Sequence, residues 1–270
     1  MTPATGFRAA SFAAIFAFSV SAALAASSPC ESRIFVASGV PAGQVSPYLA
    51  RLDRLGEELE YRLPTTGDQA RAEAIHAFLH ERILRGRYEP SASDLGVAMD
   101  GGPFNCVSAT VIFTLLADRC GVVATAMAVP GHVWCRVEGV PAIDIESTSR
   151  DWFAIRAKYQ GVPTSQVSAA MARHRRRLIV GQPLDEHKLL AVLHYNRGVS
   201  LIHQGRLSAA AWENLQAVAL DPDCRPAREN LAAVALQIPR EKNASNLSDA
   251  LIFWALENGA TLENSARNRF

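Results

Sequence analysis

The first half of the chain has the hydrophobic pattern of amphipathic helices. Apolar side chains recur three and four residues apart between positions 48 and 59, and again between positions 75 and 83. His76 and His80 are expected on a solvated or half-buried face of the second helix, because no carboxylate completes a metal-binding motif around them. The stretch before both helices, 27–43, is rich in Pro, Gly and Ser and is predicted to be irregular.

A third helix, from about Asn105 to Arg119, is predicted to lie in the centre of its domain. Its apolar side chains point in nearly every direction, and a helix without a polar face must be buried. Gly121 is the expected left-handed residue that ends it. A loop rich in Gly and Pro, 86–104, leads into this helix.

After Gly121 the pattern changes to that of β-strands. Strands are predicted at 122–129, 132–137 and 140–146, separated by the turn pairs Pro130-Gly131 and Glu138-Gly139. Helices followed by an antiparallel meander predict an α+β fold, in which a buried helix packs against the sheet.

From Asp185 onward the chain is predicted to be helical again, with helices at 189–204 and 208–220. The small residues and closing proline of this pair resemble those of a tetratricopeptide repeat: Gly198, Ala210, Ala217 and Pro222. A degenerate second repeat and an apolar helix at 248–258 are expected to follow. Such repeats normally need at least about three copies to bury their faces. The region 185–270 is therefore predicted to pack on the preceding domain, 26–184, or on a partner protein.

Residues 1–25 are predicted to be a cleaved signal peptide. Arg8 supplies a positive start, 9–24 is small and apolar, and 23–25 offers an A-x-A cleavage site. An uncleaved N-terminal anchor is the alternative. We expect no second membrane span, so the mature chain is predicted to be periplasmic or secreted.

Charge and cysteine content narrow the possible partners. The formal net charge is +1, which gives no reason to expect a nucleic acid. The only dense basic cluster, 173–177, is predicted to be a solvated helix face or a linker.

Five cysteines leave at least one thiol unpaired in an exported chain, and the pairing among Cys30, Cys120, Cys135 and Cys224 stays open. No C-x-x-C or other ligand spacing occurs, so no metal or cofactor is predicted.

Two residues combine into a candidate thiol site. Cys106 begins the buried helix, where free N–H groups and the helix dipole favour a thiolate and an acyl oxyanion. His132 opens the second strand and would either take the thiol proton as a base or hold an imidazolium beside the thiolate. An inert buried cysteine and a core histidine are the alternative interpretations.

The third member should be a carboxylate that orients the imidazole. Asp144 and Glu146 share one face of the third predicted strand, because strand side chains alternate. A three-residue loop with Gly139 in the left-handed conformation would place His132 opposite Asp144, and a loop centred on Gly139 would place it opposite Glu146. A two-residue turn would turn both acids away from His132.

These segments together resemble a known family. The segments 105–110 (NCVSAT), 130–134 (PGHVW) and 145–148 (IEST) are similar to the nucleophile, base and acid segments of the transglutaminase-like, papain-type cysteine enzymes. Leading helices, this core and then tetratricopeptide helices that open with YNRG at 195–198 look like bacterial members with such repeats. The resemblance covers roughly residues 45 to 235.

The resemblance implies a Cys106–His132–Glu146 triad, with Asp144 as the alternative acid. It implies acyl transfer from a protein or peptide amide, either to water or to an amine. The calcium dependence of some members is not expected, because no ligand loop is visible. The rival hypothesis is a catalytically inactive, exported scaffold that binds a protein partner through its helical repeats.

Overall fold

The computed structural model describes residues 29–65 and 67–237 as an α+β fold. A four-stranded antiparallel sheet is surrounded by helices, and a run of helices ends the described chain. The helices are α1 (Pro29–Ser38), α2 (Val45–Arg62), α3 (Asp68–Arg82), α4 (Leu95–Met99), α5 (Cys106–Arg119), α6 (Trp152–Tyr159), α7 (Ala169–Val180), α8 (Glu186–His203), α9 (Leu207–Leu220) and α10 (Arg225–Gln237). The strands are β1 (Ala124–Val129), β2 (His132–Val137), β3 (Ile143–Ile145) and β4 (Gln182–Pro183).

Helix α5 forms the centre of the hydrophobic core, as its pattern predicted. Ten of its fourteen residues are buried, and α5 packs against α2, α3, β1 and β2. Gly121 adopts a φ of +63° just after the helix and so ends it. Because side chains surround α5 on all sides, its N-terminal residue has a well-defined position against the sheet.

The sheet has the order β3-β2-β1-β4. Val129 pairs with His132, so Pro130-Gly131 forms a two-residue turn in which Gly131 has a φ of +76°. This turn places His132 at the very start of β2. The pattern did not predict β4, because a strand of two residues is too short to show an alternation.

The pairing of β2 with β3 differs from both proposed registers. Cys135 lies opposite Ile145 and Arg136 lies opposite Asp144, so neither Asp144 nor Glu146 is directly opposite His132. The third strand is also shorter than predicted, because the connection between the strands occupies residues 138–142. The observed register is shifted from each of the two expected registers by an even number of residues. Asp144 and Glu146 therefore keep the strand face that was predicted for them.

The N-terminal stretch is helical, which corrects the prediction of an irregular segment. Helix α1 contacts α2 and α8, and its Phe35 is fully buried. The stretch 29–38 was missed because it is rich in small residues and shows no clear helical stripe.

The helices predicted after Asp185 are confirmed as α8 and α9, and α10 follows them. Leu190 and Leu193 of α8 belong to the same hydrophobic cluster as α5, so these helices pack on the sheet-containing part. Residues 1–25 and 248–258, for which a signal peptide and a further helix were predicted, lie outside the described residues. Within 29–65 and 67–237, no helix has the length and apolar content that a membrane crossing requires.

Candidate active site

Cys106 is the first residue of α5, and a capping box holds this helix terminus. The Asn105 Oδ1 atom accepts the N–H groups of Val107 at 2.9 Å and Ser108 at 3.0 Å. The Ser108 hydroxyl accepts the N–H of Asn105 in return, at 3.0 Å. The cap does not engage the N–H of Cys106 itself. That group therefore stays available beside the thiol, at the positive end of the helix dipole.

The cap also anchors the loop in front of Cys106. The Asn105 side-chain amide donates to the carbonyl of Pro90 at 2.9 Å, and the Ser108 hydroxyl donates to the carbonyl of Ala92 at 3.1 Å. Asn105 and Ser108 are almost fully buried. The loop and the helix terminus therefore form one rigid wall around the thiol.

His132 lies between Cys106 and Glu146. Its Nε2 atom is 2.8 Å from Oε1 and 3.0 Å from Oε2 of Glu146. A carboxylate only accepts hydrogen bonds, so Nε2 carries a proton. The imidazole also hydrogen-bonds the Cys106 thiol, for which Nδ1 is the remaining ring nitrogen. The ring stacks on Trp134, with 5.9 Å between the ring centroids.

These contacts shift the pKa values of both partners. Burial lowers the pKa of His132, but the hydrogen bonds to Cys106 and Glu146 outweigh it and raise the pKa to about 9. Burial raises the pKa of Glu146, but the hydrogen bonds from His132 and His174 outweigh it and lower the pKa to about 2. Near neutral pH the imidazole is therefore protonated and the carboxylate is ionised.

Glu146 reaches His132 although the two are not directly opposite each other. If the register of β2 and β3 continued past Ile145, Trp134 would face Glu146, which makes His132 its diagonal neighbour. Two histidines of α3 hold the backbone here, since His76 hydrogen-bonds the main chain at Glu146 and His80 hydrogen-bonds it at Ser147. Both residues are buried, which corrects the expectation of a solvated or half-buried face.

Asp144, the alternative acid, is held by other partners. Its Oδ1 atom accepts the indole N–H of Trp134 at 2.8 Å and the Nε–H of Arg136 at 2.8 Å. Its Oδ2 atom accepts from a terminal nitrogen of Arg136 at 3.1 Å. His132 therefore contacts Glu146 and not Asp144. Asp144 instead links Trp134 and Arg136 of β2 to β3.

His174 is a site residue that the sequence reasoning missed. Its Nδ1 atom lies 3.1 Å from Oε1 of Glu146, and its ring meets the edge of Trp152. His174 belongs to the basic cluster 173–177, which was predicted to be a solvated helix face or a linker. Within α7, however, His174 is half-buried, as are Met171 and Leu178. The spacing of these three positions at i, i+3 and i+7 is the signal that could have identified it.

Helix α7 approaches the sheet closely because of the glycine that follows it. A Cβ atom on Gly181 would lie 2.1 Å from the Cη2 atom of Trp134, so only glycine fits here. Arg136 also donates to the carbonyl of Leu178 at 3.0 Å. These contacts bring His174 within reach of Glu146.

Tyr88 is a second residue that the sequence reasoning missed. Its hydroxyl hydrogen-bonds the Cys106 thiol, and burial together with that neighbour raises the pKa of Tyr88, which keeps the phenol protonated. Tyr88 lies in the loop before α5 and pairs with Phe104 in an isolated parallel bridge. A neutral hydroxyl beside the sulfur is a suitable second donor for an oxyanion, next to the N–H of Cys106.

A cleft of about 570 Å³ opens above the half-buried Cys106. The β1–β2 hairpin and the Tyr88 loop form one side of it, and α8 and the start of α10 form the other. None of the five cysteines is disulfide-bonded. In 29–65 and 67–237, no cluster of three or more His, Cys, Asp or Glu residues could hold a metal ion. Comparisons with protein families, curated proteins and solved structures give no match to this chain.

Proposed function

We propose that this protein is a thiol-dependent acyl-transfer enzyme that acts on a peptide or protein amide. The hydrogen-bonded series Cys106–His132–Glu146, in which Cys106 and His132 line an open cleft, carries the proposal. The two alternative interpretations do not account for this arrangement. A cysteine that only fills space does not require a histidine beside it, and a histidine that only supports the fold does not require an accessible thiol. The order of elements also resembles a transglutaminase-like core followed by tetratricopeptide-like helices.

In the first half of the reaction, the thiol proton has already passed to Nδ1 of His132, and the thiolate of the ion pair attacks the amide carbonyl carbon. The N–H of Cys106 and the hydroxyl of Tyr88 are placed to stabilise the oxyanion. When the carbon–nitrogen bond breaks, His132 donates the proton to the leaving amine, and a thioester on Cys106 remains. Glu146 holds the imidazole in place and stabilises its protonated form.

In the second half, a nucleophile attacks the thioester while His132 takes its proton. Water yields a carboxylic acid, and an amine yields a new amide. The carbon–sulfur bond then breaks, the sulfur leaves as a thiolate, and the proton stays on His132, which restores the ion pair.

The test is the rate at which iodoacetamide alkylates Cys106 at pH 7, mapped by mass spectrometry. An ordinary thiol has a pKa near ~8.5 and is only about 3% ionised at pH 7, so an ion-paired Cys106 should react roughly 30 times faster than glutathione. His132→Ala should remove most of this advantage.

Cys120 and Cys135 serve as internal controls, because both thiols are buried and burial raises the pKa of each. If Cys106 reacts no faster than glutathione, or equally fast in His132→Ala, the proposed enzyme is wrong. The function would then have to be sought in a structural or binding role.

A further inference from the structure

We propose that the cleft above Cys106 selects a neutral, apolar acyl group, and that α8 forms the selecting wall. This inference rests on the proposed acyl-transfer function and specifies its substrate. It also gives the C-terminal helices a role in the reaction, because they would contact the substrate rather than an independent partner.

The first argument is the composition of the cleft. Most of its lining is apolar or aromatic, and among the residues that the structure describes no Asp, Glu, Lys or Arg side chain contributes to it. The apolar side chains come from both sides and include Val129, Val133, Val192, Tyr195, Val199 and Pro226. A charged substrate group would lose its hydration here, and among the described lining residues other than the nucleophile only His132, which is paired with Glu146, and His203 could interact with its charge.

The second argument is the position of the nucleophile. Cys106 lines the same cleft as Val192, Tyr195 and Val199 of α8. The acyl group is the part of the substrate that becomes attached to the sulfur, so it must lie beside these residues. A volume of about 570 Å³ accommodates an apolar side chain with part of its flanking peptide.

The third argument is that the charges of α8 are used elsewhere. His194 Nδ1 lies 2.7 Å from Glu213, and Arg197 lies 3.3 Å from the same carboxylate on α9. Tyr195 faces the cleft, and burial raises the pKa of its phenol, so that it stays neutral. In this part of α8, His194 and Arg197 therefore turn towards α9, and Val192, Tyr195 and Val199 line the cleft.

The test compares three thiol reagents of one reactive class on the full chain. They are benzyl methanethiosulfonate, which is neutral and apolar, and the anionic sulfonatoethyl and cationic trimethylammonioethyl analogues. Each rate at Cys106 is divided by the rate of the same reagent with glutathione. We expect the normalised rate of the benzyl reagent to exceed both others by at least about tenfold. Using both charges separates apolar selection from simple attraction to the thiolate or the imidazolium.

The α8 wall is tested with Val199→Lys, which should reverse the preference towards the anionic reagent. Val199→Thr has nearly the same volume and tests polarity alone, so it keeps the experiment informative if the lysine variant does not fold. Val140→Lys is the matched control, because Val140 is fully exposed and does not line the cleft. It should keep the preference of the unaltered chain.

Three contradicting outcomes are distinguishable. Equal normalised rates for the three reagents, at a Cys106 whose alkylation still depends on His132, would overturn the substrate class and leave acyl transfer standing. An apolar preference that Val199→Lys and Val199→Thr leave unchanged would overturn the role of α8. A Cys106 that reacts with none of the reagents would contradict the proposed function, and this inference with it.

Discussion

Nδ1 of His174 lies 3.1 Å from Oε1 of Glu146, the carboxylate oxygen that also faces His132. Because a carboxylate can only accept, Nδ1 of His174 carries a proton, and its buried Nε2 has no hydrogen-bond partner among the described residues. His174 therefore has one polar contact, and it is directed at the acid that holds the proposed base. Glu146 lies between two imidazoles, one on β2 and one on α7.

We predict that His174 positions Glu146. His174→Ala should slow the alkylation of Cys106 at pH 7 by roughly tenfold, because a hydrogen bond to a charged group contributes about 1.5–3 kcal/mol. His174→Asn should restore much of the rate, because its amide nitrogen can take the place of Nδ1. The pKa of Glu146 should rise in His174→Ala, so the acid limb of the alkylation profile should move to higher pH. A role in packing alone would leave that limb where it is.

Exchanging Asp144 of β3 and Glu146, which directly follows β3, for amides should separate their roles. Glu146→Gln keeps the size of the side chain but removes the charge that stabilises protonated His132. We expect Cys106 to react with p-nitrophenyl acetate about 10²–10⁴ times more slowly, as when the acid of a triad becomes an amide. The measurement is release of nitrophenol at pH 7.

Asp144→Asn is the matched control for that exchange. It weakens the pair with Arg136 and should lower the free energy of unfolding by about 1–3 kcal/mol. Acylation of Cys106 in the folded fraction should change little. If the two substitutions slow acylation equally, the assignment of the orienting role to Glu146 is wrong.

Tyr88→Phe should distinguish an oxyanion donor from a packing residue. The reaction with p-nitrophenyl acetate passes through a tetrahedral oxyanion, whereas alkylation by iodoacetamide does not. We expect the variant to lose about 10²- to 10³-fold in acylation, the range observed when one oxyanion donor is removed. Its alkylation rate should stay within a factor of a few. Parallel losses in both reactions would show that Tyr88 acts on the sulfur and not on the oxyanion.

Protein stability should fall on acidification below pH 6.5, and His76 should be a main cause. Burial and the neighbouring His80 lower the pKa of His76 to about 4 in the folded state. The unfolded chain therefore takes up this proton first, and stability falls as the pH drops from about 6.5 to about 4, by roughly 3 kcal/mol. Urea unfolding at pH 6.5 and pH 4.5 measures the fall.

His76→Asn retains a donor at the position of Nδ1 and should flatten that dependence. Some of the fall should persist, because the pKa of His80 is lowered in the same direction. Two other groups, Glu146 and His132, should change the stability at lower and at higher pH. The contribution of Glu146 is present above about pH 4.5 and is lost towards pH 2, and that of His132 is present below about pH 6.5 and is lost towards pH 9. An unchanged slope in His76→Asn would contradict the assignment.

The sequence alone determined the parts of the site that depend on local signals. The apolar pattern of 105–119 predicted a buried helix with Cys106 at its start, and the Pro130-Gly131 pair predicted the turn before His132. Helix burial follows from periodicity within one segment, and turn type follows from two residues. The face shared by Asp144 and Glu146 follows in the same way from the alternation of side chains along a strand.

The tertiary structure decided which acid meets His132, and it brought His174 and Tyr88 to the site. The register of β2 and β3 depends on the length of the 138–142 connection, which carries no favoured hairpin pair. His174 reaches Glu146 only because Gly181 lets α7 lie against Trp134, a contact between segments almost fifty residues apart. Such contacts depend on side-chain volume and packing across the fold, and no periodicity within a single segment records them.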